Sequence, residues 1–252
     1  MSQNPVQLLK SLVTLLSTTV GRDKTCRVVQ YVSKFVAAVL RHQIAKGSIT
    51  KEQFDELTSR IERLSGNMSL TRKVLRFGRP IGLSFTLIDL IKQLNNSLKN
   101  PKSVTDIKQS PFYITMRIGS TISLILFFLL DHILYFARLD LMKKRPELTK
   151  FADFYSSFWW FLDCLFGLTS NIQEIKYLFE LNNAERLSSN ENKGEKIKSN
   201  KARIDAAIVD AFRNIFDIPV AVGFMYPQLV SPGTIGVFGA ITSYIGCYQN
   251  WK

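Results

Sequence analysis

Four cationic side chains, Arg72, Lys73, Arg76 and Arg79, lie close together in the sequence. On an ideal helix of about 100° per residue, the three arginines fall on one side. Guanidinium groups hydrogen-bond phosphate oxygens through two parallel N–H donors, and anionic membrane surfaces attract such groups. We therefore predict that these four residues contact anionic phospholipid.

The same stretch, Ser69–Leu94, carries an apolar row within about 80° on roughly the opposite side of the helix. The row consists of Leu70, Val74, Phe77, Ile81, Phe85 and Ile88. A helix with one apolar and one cationic face can lie in a membrane surface with its apolar side in the acyl boundary. These six residues are the predicted membrane-inserting set. The alternative is an amphipathic helix that covers a protein core.

Further polar side chains interrupt apolar segments at Asp131, His132 and Asp163. Inside a membrane such groups either pair within a helix bundle or line a polar pathway. With only two histidines in the chain, no histidine-based metal site is expected. Phosphate-binding loops, dinucleotide fingerprints and nucleophile elbows are absent from the sequence. We predict that the protein is not an enzyme and has no cofactor.

The charge of the chain is uneven. The formal net charge is +13, and residues 1–110 hold 18 basic and 7 acidic side chains. An excess of this kind requires an anionic partner. Because the basic residues alternate with apolar helical faces and no nucleic-acid-binding motif is present, lipid is favoured over nucleic acid. Three widely separated cysteines indicate no disulfide framework.

Helical periodicity predicts the elements that position these residues. Helices are expected from Pro5, from Gly21, from Thr50 to Gly66, and across the amphipathic stretch, which should bend or break near Gly78–Pro80. Ile118–Ala137 is twenty residues, long enough to span a bilayer core of about 30 Å. Val230–Tyr248 is the second predicted span. The fold class expected is all-α, a multi-helix integral membrane protein with about two spans.

Composition divides the chain into four parts. Residues 1–110 form a basic amphipathic helical region, 111–181 a first span and an aromatic helix, 182–201 a flexible loop, and 202–252 a helix with the second span. Small residues in the last part recur at helical spacing, and such ridges let helices approach closely in lipid. The predicted association residues are Gly236, Gly239, Ala240, Ser243 and Cys247.

Three blocks of sequence resemble the peroxin-eleven family of peroxisomal membrane proteins, with fungal-type members as the expected subgroup. They are Gly21-Arg22-Asp23-Lys24 with Arg27, Gln30, Tyr31 and Phe35; Arg72–Pro80; and Gly233–Gly246 closed by Trp251. The resemblance implies a membrane-curving amphipathic helix at Ser69–Leu94, two spans and cytosolic termini. It also implies self-association and cooperation with dynamin-type fission machinery.

From the residues and the resemblance together, we expect a protein that curves and elongates the peroxisomal membrane ahead of fission. Phe77, Ile81, Phe85 and Ile88 would enter one leaflet, and the small-residue ridge would bring copies together. The alternative function is a pore for small metabolites, lined by Asp131, His132 and Asp163. A third possibility is a soluble helical scaffold.

Overall fold

The computed structural model describes residues 5–100, 106–139, 141, 145–187 and 193–251, and every α-helix named here lies in those ranges. The α-helices are α1 (Pro5–Ser17), α2 (Thr19–Ala45), α3 (Lys51–Leu75), α4 (Arg79–Lys99), α5 (Pro111–Arg138), α6 (Pro146–Leu187), α7 (Lys193–Met225) and α8 (Pro232–Asn250). A short 3-10 turn occupies Ile107–Gln109. The all-α prediction is confirmed.

The helices form two compact units. Unit 1 contains Met1–Gly78, Phe128–Phe158 and Pro219–Lys252, and unit 2 contains Arg79–Phe127 and Trp159–Ile218. Helices α5, α6 and α7 contribute residues to both units. The units therefore differ from the four consecutive parts expected from composition.

In unit 1, α2 lies between α3 and α8 and packs against both. The chain turns sharply from α1 into α2, where the Thr18 hydroxyl accepts a 3.0 Å hydrogen bond from the Gly21 amide. A Cβ at Gly21 would collide with the Leu15 carbonyl, so glycine permits this corner. Gly21 lies inside the first turn of α2 and does not interrupt the helix.

The amphipathic stretch Ser69–Leu94 consists of two helices. α3 continues past Gly66, where we expected it to end, and stops at Leu75; α4 begins at Arg79. Gly78 between them has φ +80°, a left-handed conformation that favours glycine. The predicted break near Gly78–Pro80 is thus confirmed. A glycine inside a helix costs only about 1 kcal/mol relative to alanine, so Gly66 does not end α3.

Unit 2 is held together by close contacts among α5, α6 and α7. The Phe166 ring covers Gly119, and the Asn214 side chain lies against Gly167. The Ser120 hydroxyl donates a 2.5 Å hydrogen bond to Asp163. Small residues on α5 and α6 therefore create room for large or polar side chains of the neighbouring helix.

A polar node in the same unit involves Arg203 on α7. Arg203 donates to both oxygens of Asp106, at 2.7 and 3.1 Å, and to Glu174 on α6. Tyr113 on α5 also donates to Glu174, at 3.3 Å. Hydrogen bonds from Arg203 hold the pKa of Asp106 below its ordinary value. This node joins α5, α6 and α7 to the segment that precedes α5.

The predicted flexible loop at 182–201 is wrong at both of its ends. α6 extends to Leu187 and α7 begins at Lys193, and residues 188–192 lie outside the described residues. Periodicity missed these turns because their side chains are mostly polar. A buried hydrogen bond of 2.9 Å between Asn200 and Asn182 supplies the tertiary contact.

One helix of the described residues, α5, is long and apolar enough by length and composition to cross a membrane. It contains the whole predicted first span, Ile118–Ala137. α1 is apolar but has 13 residues, which is too short to cross. α8, which covers most of the predicted second span, does not meet the same criterion.

The polar node predicts a pH-dependent contribution to stability. Because the pKa of folded Asp106 is lowered, its pairing stabilises the fold above the unfolded value of about 3.9 and is lost as pH falls through the folded pKa. For a partly exposed pair we expect Asp106→Asn to cost roughly 1 kcal/mol, or about 2–4 °C in Tm, at pH 7. Thermal unfolding followed by circular dichroism in detergent should show this difference shrinking below about pH 4.

The matched control is Asp89→Asn, since Asp89 is exposed on α4 and lies 3.8 Å from Lys92. It should leave Tm unchanged at both pH values. A difference for Asp106→Asn that does not depend on pH would contradict the ionic origin.

Candidate functional site

The centre of unit 1 is a buried carboxylate, Asp23, near the start of α2 and 1% exposed. Two arginines of α3 donate to the same oxygen, Arg72 Nε at 3.2 Å and Arg76 Nε at 2.9 Å. Residues four apart lie on the same face of a helix, so one carboxylate can receive both guanidinium groups.

A second carboxylate, Asp131 of α5, completes the arrangement. Lys73 donates to Asp131, and Arg76 Nη1 lies 3.5 Å from it. Arg76 therefore pairs with carboxylates from two different helices. We call Asp23, Arg72, Lys73, Arg76 and Asp131 the buried charge cluster.

Gln30 extends this cluster. It lies about two turns after Asp23 on the same side of α2. Arg72 Nη1 donates a 2.6 Å hydrogen bond to the Gln30 side-chain oxygen. The Ser65 hydroxyl of α3 donates to the Gln30 carbonyl at 3.0 Å. The guanidinium carbon of Arg27 lies 5.5 Å from the centroid of the Tyr31 ring. Tyr31 is on the side of α2 that faces α8.

The contact between α2 and α8 depends on three glycines of α8. A Cβ at Gly239 would collide with the Tyr31 ring, and one at Gly236 would lie 2.7 Å from the Phe35 backbone. At Gly246 the nearest side chain is that of Lys24. We call Gly236, Gly239 and Gly246 the glycine face of α8; it lets the two helices approach closely.

The predicted association ridge therefore packs within the chain. Gly236, Gly239 and Ser243 are buried, while Ala240 and Cys247 are partly exposed. The Ser243 hydroxyl is satisfied by the Gly239 carbonyl. Because α2 occupies this side of α8, contact between copies would have to use a different surface.

Three of the four predicted lipid-contact residues, Arg72, Lys73 and Arg76, are buried in the cluster with protein carboxylates as partners. In this conformation they are not presented to a head group. Arg79 is the first residue of α4 and is partly exposed. Lipid contact by the four residues stays a prediction. Of the four, Arg79 is the one that is not buried.

The predicted inserting residues are divided between two environments. Ile81, Phe85 and Ile88 lie on α4 and are 65, 65 and 48% exposed. Ile91, which was not in the predicted set, extends them and is 51% exposed. We call Ile81, Phe85, Ile88 and Ile91 the α4 apolar row.

The other predicted inserting residues belong to unit 1. Leu70 and Val74 lie on α3, where Leu70 is partly exposed and Val74 is exposed. Phe77 follows α3 and stacks on His132, with ring centroids 4.4 Å apart. It also meets the rings of Tyr135 and Phe136 edge-on. Phe77 thus packs against three rings of unit 1.

The polar residues predicted for a pathway also have protein partners. Asp131 belongs to the buried charge cluster, His132 stacks on Phe77, and Asp163 accepts from Ser120. These contacts are typical of pairing within a helix bundle. Among the described residues, no group of three or more metal-ligating side chains is present. A pore stays a prediction.

The geometry joins the three sequence blocks at α2. Asp23 meets arginines of the second block, and Tyr31 and Phe35 meet glycines of the third. A family model described as Peroxisomal biogenesis factor 11 (PEX11) matches residues 9–251. The chain belongs to this family. As a PEX11 protein it is a peroxisome biogenesis factor associated with the peroxisomal membrane, and it is not an enzyme.

Relatives of full length come from distant organisms. The chain is 24% identical to the "Peroxisomal membrane protein 11 homolog" of Dictyostelium discoideum, with 97% of this chain and 95% of that protein covered. It is 25% identical to "Peroxisomal membrane protein 11-1" of Oryza sativa subsp. japonica (94 and 89%) and 24% to "Peroxisomal membrane protein PMP30B" of Candida boidinii (97 and 94%). No solved structure matches. Similar identities across these groups leave the fungal-type assignment a prediction.

Sequence reasoning missed that Arg72, Lys73 and Arg76 are paired with carboxylates of the same chain. The available signal was Asp131, because a carboxylate in an apolar helix needs a partner. Its partner Lys73 is 58 residues away, and no local pattern links the two. Gln30 and Glu174 were likewise unassigned, although both are buried and polar.

The buried charge cluster predicts a large loss of stability on removal of Asp23. Asp23→Asn would leave Arg72 and Arg76 buried with one carboxylate fewer, and breaking a buried pair costs about 3–5 kcal/mol. Denaturant unfolding in detergent measures this loss. Asp55→Asn is the control, since Asp55 pairs with Arg41 at the surface and should cost no more than about 1 kcal/mol. Equal losses would show that burial of the cluster is not decisive.

The glycine face predicts that one added methyl group on α8 disturbs its packing against α2. Gly239→Ala should destabilise by roughly 1–3 kcal/mol because its Cβ meets Tyr31. Gly233→Ala is the control, since its Cβ would meet only ordinary contacts at 3.7 Å. Adding Tyr31→Ala should make the Gly239→Ala step much less costly, a coupling that a double-mutant cycle measures. Additive effects would contradict the assigned contact.

Proposed function

We propose that this PEX11 protein curves and elongates the peroxisomal membrane ahead of fission by inserting the α4 apolar row into one leaflet. The observation that carries the proposal is the exposure of four large apolar side chains on one side of a single helix. Soluble surfaces rarely present such contiguous apolar residues, and membranes or partners are what usually cover them. Insertion into one leaflet widens that leaflet and bends the bilayer.

α4 has two apolar sides with different environments. Four of its leucines are partly buried: Leu83, Leu87, Leu90 and Leu94. The α4 apolar row lies on roughly the opposite side of the same helix. One side of α4 is thus used for packing, and the other remains available for lipid.

The energetics favour a shallow insertion. Full burial of a large aliphatic or aromatic side chain is worth about 1.5–3 kcal/mol, so four side chains that are already half-buried contribute roughly 1 kcal/mol each. Along α4, Arg79, Lys92 and Lys99 outnumber the single Asp89. Each cation near an anionic surface adds about 1 kcal/mol.

Within this proposal the earlier cations have a different task. Arg72, Lys73 and Arg76 fix the end of α3 through the buried charge cluster, and Arg79 keeps the predicted contact with lipid phosphate. Three residues, 76–78, lie between the end of α3 and the start of α4.

The remaining partners are proposed from family resemblance. We propose that copies of the chain self-associate to concentrate the inserted helices, that dynamin-type machinery completes fission, and that both termini lie in the cytosol. The relatives are peroxisomal membrane proteins by name, which supports the same location here.

The test uses the full chain reconstituted in liposomes with and without anionic lipid, imaged by electron microscopy. Wild-type protein should form tubules on anionic vesicles. Ile81→Glu with Phe85→Glu should abolish tubules while the protein stays membrane-bound through its remaining apolar segments. The control, Thr86→Glu with Gln93→Glu, adds the same charges to exposed positions on the flank of α4 and should retain at least half of the tubules.

Tubules formed equally by both double variants would refute insertion of the α4 apolar row. Loss of tubules in both would show that charge on α4 matters and apolar insertion does not.

A further inference from the structure

A cleft of about 1090 Å³ lies in unit 1. Its walls come from α2 and α3, with Arg138 at the end of α5, Phe224 of α7 and the residues that lead into α8. The volume is at the upper end of the range for small-molecule sites. No residue of α4 lines it.

The cleft is cationic at two positions. Lys34 lies with its Nζ 4.6 Å from the centroid of the Phe224 ring, and burial lowers the pKa of its ammonium group. Among the described residues, neither Lys34 nor Arg138 has a carboxylate within ion-pair distance. Arg41, which also lines the cleft, differs because Asp55 and Glu62 already neutralise it. Lys34 is partly buried and Arg138 is exposed. A partly buried cation without a carboxylate partner favours an anionic ligand, and Arg138 adds a second positive charge at the same cleft.

The rest of the lining combines carbon surface with polar groups. Gln30, His42 and Gln43 also line the cleft, and its one carboxylate, Glu62, is paired with Arg41. Ala37, Ala38, Val39, Phe224 and Pro232 contribute carbon surface, and Ser65 and Ser69 contribute hydroxyl groups. A water molecule takes up about 30 Å³, so a bare phosphate would leave most of the cleft filled with water against these carbons. A ligand that carries both an anionic group and hydrocarbon matches the two cations and the carbon surface.

We propose that this cleft binds one anionic phospholipid molecule, with its phosphate at Lys34 and Arg138 and acyl carbons along Ala37, Ala38 and Phe224. The lipid would act as a bound ligand of the fold, separate from the bilayer that surrounds the protein. Its binding does not depend on insertion of α4, since the two surfaces share no residue.

The test is native mass spectrometry of the full chain in detergent, with phosphatidic acid as the probe and phosphatidylcholine as the zwitterionic comparison. A one-to-one adduct is expected with phosphatidic acid and at least tenfold less with phosphatidylcholine. Lys34→Gln with Arg138→Gln should weaken the adduct at least tenfold. Lys176→Gln with Arg60→Gln removes the same charge from exposed positions and should leave it unchanged.

Two further measurements keep the proposal falsifiable if the charge variant folds poorly. Val39→Trp fills the apolar wall without changing charge and should also weaken the adduct, whereas Lys34→Arg should retain it. Ile81→Glu with Phe85→Glu should bind phosphatidic acid as the wild type does, whatever happens to tubulation.

Three results would overturn the proposal. One is equal binding of the two lipids. Another is a Lys34 and Arg138 variant that binds like the wild type. The third is displacement of the lipid by millimolar inorganic phosphate, with phosphate binding that also requires Lys34. That result would assign the cleft to a free anion.

Discussion

Arg76 is shared between two carboxylates that belong to different helices. Taking an ion out of water costs several kcal/mol, and only a partner at close range offsets that cost. Arg76 meets this condition when α3 lies against α2 at Asp23 and against α5 at Asp131 simultaneously. A shift of α3 by one turn along either neighbour would strand a buried charge. The cluster therefore fixes the register of three helices, and α2, once fixed, presents Tyr31 and Phe35 to the glycine face of α8.

Much of this arrangement was open to prediction from local pattern. Apolar periodicity located most helices, and Gly78 beside Pro80 marked the break between α3 and α4, because both residues disfavour a continuous helix. The long uncharged run of α5 predicted its apolar character. Polar helix ends such as 182–187 were not predictable, since their turns depend on tertiary contacts such as that between Asn182 and Asn200.

The environment of Arg72, Lys73 and Arg76 could not be predicted from the periodicity of the sequence. A cationic stripe beside an apolar stripe is the same whether the stripe faces phosphates or buried carboxylates. Arg72 and Arg76 face Asp23, which lies 49 and 53 residues earlier in the chain. Likewise, the ridge of small residues on α8 predicts close helix contact correctly but not the identity of the partner helix. Periodicity describes one helix at a time, whereas the partners of the cations and of the small-residue ridge both lie on another helix.

The α4 apolar row has a consequence for how the isolated protein behaves in water. Without a bilayer or detergent, Ile81, Phe85, Ile88 and Ile91 have nothing apolar to cover them except another molecule. Copies would then adhere through these rows in no fixed geometry, and the apparent particle size would grow with concentration. Self-association seen in plain buffer would thus include non-specific contact through exposed apolar surfaces such as the α4 apolar row, and only an oligomer that persists when lipid covers these surfaces reflects a specific assembly.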